Sequence, residues 1–162
     1  MTDDPFELAH GDEFDPDTPA AAMARLQDRL KAIHPQAAAI ITAHAALELE
    51  VDQVLRRFLA RPSKLPRLGM EHQLGILRSL LDDAWLDSVL DAISAYGAVR
   101  NAVAHGDSPS TIANVIRRLG DKTHNIGMPL APDTNLGSLA MGLVAALHVG
   151  AESHAGFCDP KP

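Results

Sequence analysis

AWLDSVLDAISAYGAVRNAVAHG, residues 84–106, is the stretch whose reading decides the fold. Leu86, Val89, Leu90, Ile93, Tyr96 and Val103 return at three- and four-residue steps, which lines up one apolar face of an α-helix. The spacing predicts a helix over about Ala84 to Ala104. Gly106, just beyond His105, suits the left-handed residue that closes such a helix.

Working outward, the same periodicity predicts further helices. Upstream, Ile40, Ile41, Leu47, Val51, Val54, Leu55 and Phe58 mark the longest, about Gln36 to Ala60. A first helix opens near Thr18-Pro19, with Thr18 as N-cap and Pro19 at the first helical position. It carries Met23, Leu26, Leu30 and Ile33 and gives way at Pro35. Arg61-Pro62 to Gly69 reads as a connector, and a third helix follows from about Glu71 to Leu81. Downstream, Ile112, Val115, Ile116 and Leu119 predict a shorter helix, about Ser110 to Leu119. Residues 120–133, rich in Gly, Pro and Asp, read as a loop, and a last helix runs from about Asn135 to Val149. That helix is apolar on most sides, as a well-buried one is. Abundant Ala and Leu, with aromatics at only 4%, favour helices over strands. The expectation is an all-α bundle of long antiparallel helices, one domain over 19–152, with a flexible tail at 153–162.

The charge has an address. Asp3, Asp4, Glu7, Asp12, Glu13, Asp15 and Asp17 are seven of the chain's 21 acids, and the other 14 balance its 14 bases. The net charge of −7 therefore belongs to an arm, residues 1–18, too polar to offset its ordering entropy. Such an arm is solvated, or it screens a basic site or docks a basic partner. Cys158 stands alone, so no internal disulfide is available. The acidic opening does not read as a secretory signal, and the apolar run Leu139–Val149, broken by Gly142 and His148, falls short of the roughly 20 residues of a membrane span. A soluble cytoplasmic protein, not a membrane one, is expected.

Two helices carry polar residues where core is expected. In the fourth helix the apolar stripe Leu86, Val89, Ile93, Tyr96 continues to Arg100 and Val103, and burying an arginine is costly unless it is paired. Asn101 and His105, four residues apart, share the neighbouring flank. In the second helix His44 and Glu48 fall among core-facing positions, whereas Glu50, Gln53 and Arg57 form a solvent-facing strip. Antiparallel packing of the two helices would make Glu48 the bidentate partner of Arg100. The bland alternative is that this pair locks the helices while His105 caps carbonyls beside Gly106.

Arg100-Asn101-Ala102-Val103-Ala104-His105 resembles the Arg, polar residue, three spacers, His motif of the HEPN (higher eukaryotes and prokaryotes nucleotide-binding) superfamily. The motif's place at the end of a long helix, and Ala46-Leu47-Glu48 within a long second helix, are similar too. The likeness covers roughly residues 36–107 and extends, less specifically, to the mannitol-operon-repressor branch of small bacterial proteins. It implies a HEPN-like helical fold and, in many members, RNA cleavage without metal or cofactor by a homodimer that joins two motifs. Other members are non-catalytic regulatory or protein-interaction modules, and a toxin-like effector would have a cognate antitoxin. On this resemblance His105 is the acid or base, Arg100 the phosphate clamp, and Asn101 orients one or the other. Glu48, His44 and Tyr96 support them from behind. Products would carry a 2′,3′-cyclic phosphate.

Arg56, Arg57, Arg61, Lys64 and Arg67, with no acid among them, could hold a nucleic-acid backbone or simply complement a helix C-terminus. Against RNA stand the few aromatics available for stacking, Tyr96 being the one near the motif. Eight histidines form no metal-binding spacing, His148 and His154 included, so no metal site is expected. Gly-rich phosphate loops, nucleophile elbows and basic recognition helices are absent from the sequence.

Overall fold

The computed structural model describes residues 19–31 and 33–155. The acidic arm, the Thr18 cap, Cys158 and residues 156–162 lie outside the described residues. Six helices follow in order: α1 (Pro19–Lys31), α2 (Ala37–Arg57), α3 (Met70–Leu80), α4 (Ala84–His105), α5 (Pro109–His124) and α6 (Leu136–Ala155), with a 3-10 turn at Pro62–Lys64. Among the described residues there is no strand. The chain divides into two compact units, Met1–Ile33 and His34–Pro162.

In the first unit α1 begins at Pro19, where a missing N–H costs nothing. Its Met23 and Leu26 are half exposed.

The second unit is built around α4, which packs against α2, α3, α5 and α6. Its apolar stripe is buried as the periodicity requires: Leu86, Val89, Leu90, Ile93, Tyr96, Val99 and Val103. Ile40, Leu47, Val51, Val54 and Leu55 meet it from α2, and Leu136, Leu139, Leu143 and Leu147 from α6. Side chains and polar contacts fix directions. His44 of α2 lies against Gly97 of α4, Asp91 of α4 binds Lys122 of α5 at 2.7 Å, and Tyr96 of α4 donates to the Leu136 carbonyl at the start of α6. His154 near the end of α6 reaches back to Asp83 before α4, so α4 runs antiparallel to α6. Helices α2 and α6 run the same way: Gln36 Oε1 accepts from Leu136 N–H at one end, and Glu50 meets His148 at 2.9 Å farther along.

Glu50 therefore faces α6 and not the solvent strip expected for it. Helix α2 stops at Arg57, where Arg56 turns back to the Pro62 carbonyl. Helix α5 continues to His124, through residues expected in a loop, because Leu119 and Thr123 are buried and Lys122 is tied to Asp91. Helix α6 reaches Ala155, past the end expected near Val149. By length and composition Leu136–His154 could cross a membrane, with mean hydropathy 1.3. Here one of its faces is packed on α2 and α4, while Met141 and Val149 stand exposed on another.

Candidate functional site

Helix α4 ends as its sequence predicts. Gly106 adopts φ 67°, its N–H returns to the Val103 carbonyl, and Asp107 N–H reaches the Ala102 carbonyl at 2.9 Å. This closure needs a left-handed residue, which glycine adopts without a Cβ clash. It also uses the last carbonyls without His105. Among the described residues the His105 side chain makes no hydrogen bond or ion pair, and it is exposed, so it does not cap the helix.

One turn earlier, Arg100 is half-buried beside an open cleft of about 320 Å³. The cleft is walled by His44 and Glu48 from α2, Gly69 to His72 at the start of α3, and Gly97, Ala98, Arg100 and Asn101 from α4. The expected Arg100–Glu48 pair is not formed. Arg100 Nη1 donates to Asn101 Oδ1 at 3.0 Å, and its Nε is buried with no hydrogen-bond partner among the described residues. Glu48, half exposed, lies with Oε2 3.9 Å from His44 Nδ1, one turn below it on the same helix. Helical phase gives an angle around the axis, not the height of the partner or the reach of the side chain, and that is why the pairing inferred from phase fails. Since Asn101 Oδ1 accepts from Arg100, its amide NH2 remains a donor beside the guanidinium.

His44 is buried and stacks on Tyr96 with ring centroids 6.4 Å apart and 11° between planes. A Cβ at Gly97 would stand 3.0 Å from Met70 Cε and 3.4 Å from His44 Nε2. Glycine at this point lets the imidazole and Met70 close onto the α4 backbone. Burial chiefly holds His44 below its ordinary pKa; Glu48 opposes this and Arg100 adds to it. Tyr96 is wholly buried, which pushes its phenol up to about 12, and its hydroxyl donates to the Leu136 carbonyl at 3.1 Å. Its role is to hold the ring against which His44 rests.

The basic cluster divides. Both Nε and Nη2 of Arg56 bind Asp52, and its Nη1 binds the Pro62 carbonyl at 2.8 Å, so this side chain staples a turn. Asp52 also accepts from the buried Gln73 at 3.0 Å. Arg57, Arg61, Lys64 and Arg67 are exposed and form no ion pair among the described residues. Arg67 and Arg56 line a second cleft with Asp52 and Gln73. It shares Glu48, Gly69 and Met70 with the Arg100 cleft, so the two clefts adjoin.

Of the residues the sequence singled out, the fold gathers His44, Glu48, Arg100 and Asn101 in one cleft and leaves His105 outside its wall. His72, Met70 and Gly97 also line it and went unmarked. A glycine on the inner face of a core helix, level with a core-facing histidine, is the signal that was there to be read. Among the described residues no His, Cys, Asp or Glu group could hold a metal ion. His148 and His154 instead pair with Glu50 and Asp83.

Comparison with protein-family models, with curated proteins and with solved structures gives no match.

Proposed function

We propose that this chain is an RNA-directed effector of the HEPN kind, a cytoplasmic endoribonuclease that needs no metal. One observation carries the reading: Arg100 faces an open cleft without a carboxylate partner, its Nε unsatisfied. A buried donor left unpaired costs stability, on the order of 1–3 kcal/mol, and folding alone gives no reason to keep it. A phosphate held in the cleft would give the guanidinium the counter-charge it lacks. Arg100 then neutralises charge developing on the phosphorus, and the Asn101 amide supplies a second donor. His105, exposed and unengaged at the helix end, is free to carry a proton to or from the RNA. The adjoining cleft lined by Arg67 would receive the next stretch of a single strand, with Arg57 at the end of α2 and Arg61 and Lys64 on the connector exposed. A second copy of the chain would bring another His105 to the cleft, and a cognate antitoxin would hold the activity in check.

One observation favours a second reading, a non-catalytic regulatory module. Within one chain His105 does not wall the Arg100 cleft. The deciding experiment is RNA cleavage in excess EDTA by wild type, Arg100→Ala and His105→Ala. Cleavage that survives chelation and collapses with Arg100→Ala supports the ribonuclease. A folded wild type that leaves varied RNAs intact favours the module.

A further inference from the structure

The Arg100 cleft already holds a histidine of its own chain. We propose that His44 is the catalytic base of this site, so that a single chain contains both the phosphate clamp and the group that takes the 2′-hydroxyl proton. This rests on the ribonuclease reading and narrows its substrate to a phosphodiester beside a free ribose 2′-hydroxyl.

The geometry separates His44 from His105. Five residues along a helix turn a side chain by about 140° and carry it about 7.5 Å along the axis, so His105 leaves the Arg100 face. His44 comes from the opposite wall and lines the same cleft as Arg100 and Asn101. Its ring is fixed by Tyr96 on one side and by the bare Gly97 backbone and Met70 on another. No hydrogen bond from the described residues occupies either ring nitrogen, and Glu48 at 3.9 Å is too far to be one. An imidazole that is oriented, unbonded and set in the wall of a cleft beside a partly unsatisfied guanidinium is arranged for proton transfer, not for packing alone.

The charged and titratable groups around it are Glu48 from α2, Glu71 and His72 from α3, and Arg100 from α4, with Tyr96 beneath. Burial and Arg100 keep the ring unprotonated at neutral pH, the form a base requires. In the step, His44 takes the proton from the ribose 2′-O–H and the 2′-oxygen bonds to phosphorus. The bond from phosphorus to the 5′-oxygen breaks, and that oxygen leaves with a proton from His105 or solvent. A 2′,3′-cyclic phosphate and a 5′-hydroxyl are the only products. His105 is left the acid's part.

The test joins two readouts. The first is the pH–rate profile for cleavage of a short RNA in EDTA by wild type, His44→Gln and His105→Ala. We expect His44→Gln to lose about 10²- to 10⁴-fold in rate together with the acidic limb of the profile. His105→Ala should keep that limb. The second is an NMR titration of the imidazole resonances of wild type and Arg100→Gln, with and without inorganic phosphate. It requires no His44 variant to fold. Phosphate should raise the His44 titration in wild type only. An acidic limb that persists in His44→Gln overturns the base role alone, as does phosphate that moves His105 and not His44. A wild type that cleaves nothing overturns the ribonuclease reading and the base role together. A phosphate shift at His44 would then leave an anion site.

Discussion

Just before α4, Asp83 accepts from Leu86 N–H at 2.8 Å and from His154 Nε2 at 3.1 Å. These contacts, the backbone one first, hold its carboxyl below the usual carboxylate range. Asp87, one turn in, has a buried Oδ1 without a hydrogen bond, but its negative charge meets the positive end of the helix dipole. At the other end of the same helix, backbone alone closes the last turn, and Arg100, Asn101 and His105 contribute nothing to it. The first end uses its polar residues to hold α6 and to start the helix. The second keeps Arg100 and Asn101 beside a cleft and His105 exposed outside it. The polar groups at the second end are the ones on which the proposed function rests.

Substitutions can break this contrast. Arg100→Ala should have the largest effect, lowering RNA cleavage about 10²- to 10³-fold, the loss typical of removing one oxyanion donor. Because Nε has no partner, the melting temperature should hold or rise. A variant that unfolds instead would make Arg100 structural and erase the difference between the two ends.

Acid is a second probe. His44 titrates lower in the folded chain than in the unfolded one. As pH falls below the ordinary imidazole value of about 6.5 the unfolded state takes the proton first, so stability drops and stays lower at more acid pH. Denaturant midpoints measured at pH 7.5 and 5.5 should differ more in wild type than in His44→Gln. Equal differences would mean that His44 is not the buried titrating group.

Asp83→Ala tests the opposite end. It should lower the melting temperature, through loss of the cap and of the His154 contact, and leave the cleavage rate per folded molecule unchanged. A matching fall in activity would show that the two ends are coupled. Glu48→Ala should do least: half exposed and unpaired with Arg100, it should change stability by about 0.5 kcal/mol or less in urea unfolding. A loss of several kcal/mol would restore the buried Arg100–Glu48 pair.

Much of the helical framework was legible because apolar spacing reports it directly. The starts at Pro19 and Ala84 and the closure at Gly106 follow from residue chemistry at single positions. The length of α5 was not legible. Gly120 and the Asp-Lys pair after it read as a loop, and burial of Leu119 and Thr123, with the bond from Lys122 to Asp91 31 positions away, makes a helix of them. Glu50 was misplaced for the same reason, since its partner His148 comes from 98 positions away. At the site, the sequence named His44, Glu48, Arg100 and Asn101 but joined the wrong two. His44 and Glu48 lean together within α2, and Arg100 turns to its neighbour Asn101.

By itself, then, the sequence determined the helices and the anomaly of an arginine on a core stripe, because both follow from periodicity along one chain segment. The tertiary structure decided which groups meet. It placed a histidine from α2, not the one five residues beyond Arg100, in the arginine's cleft. The reason is geometric: a helix fixes the angles among its own side chains, but the height and separation of two helices are set by the packing between them.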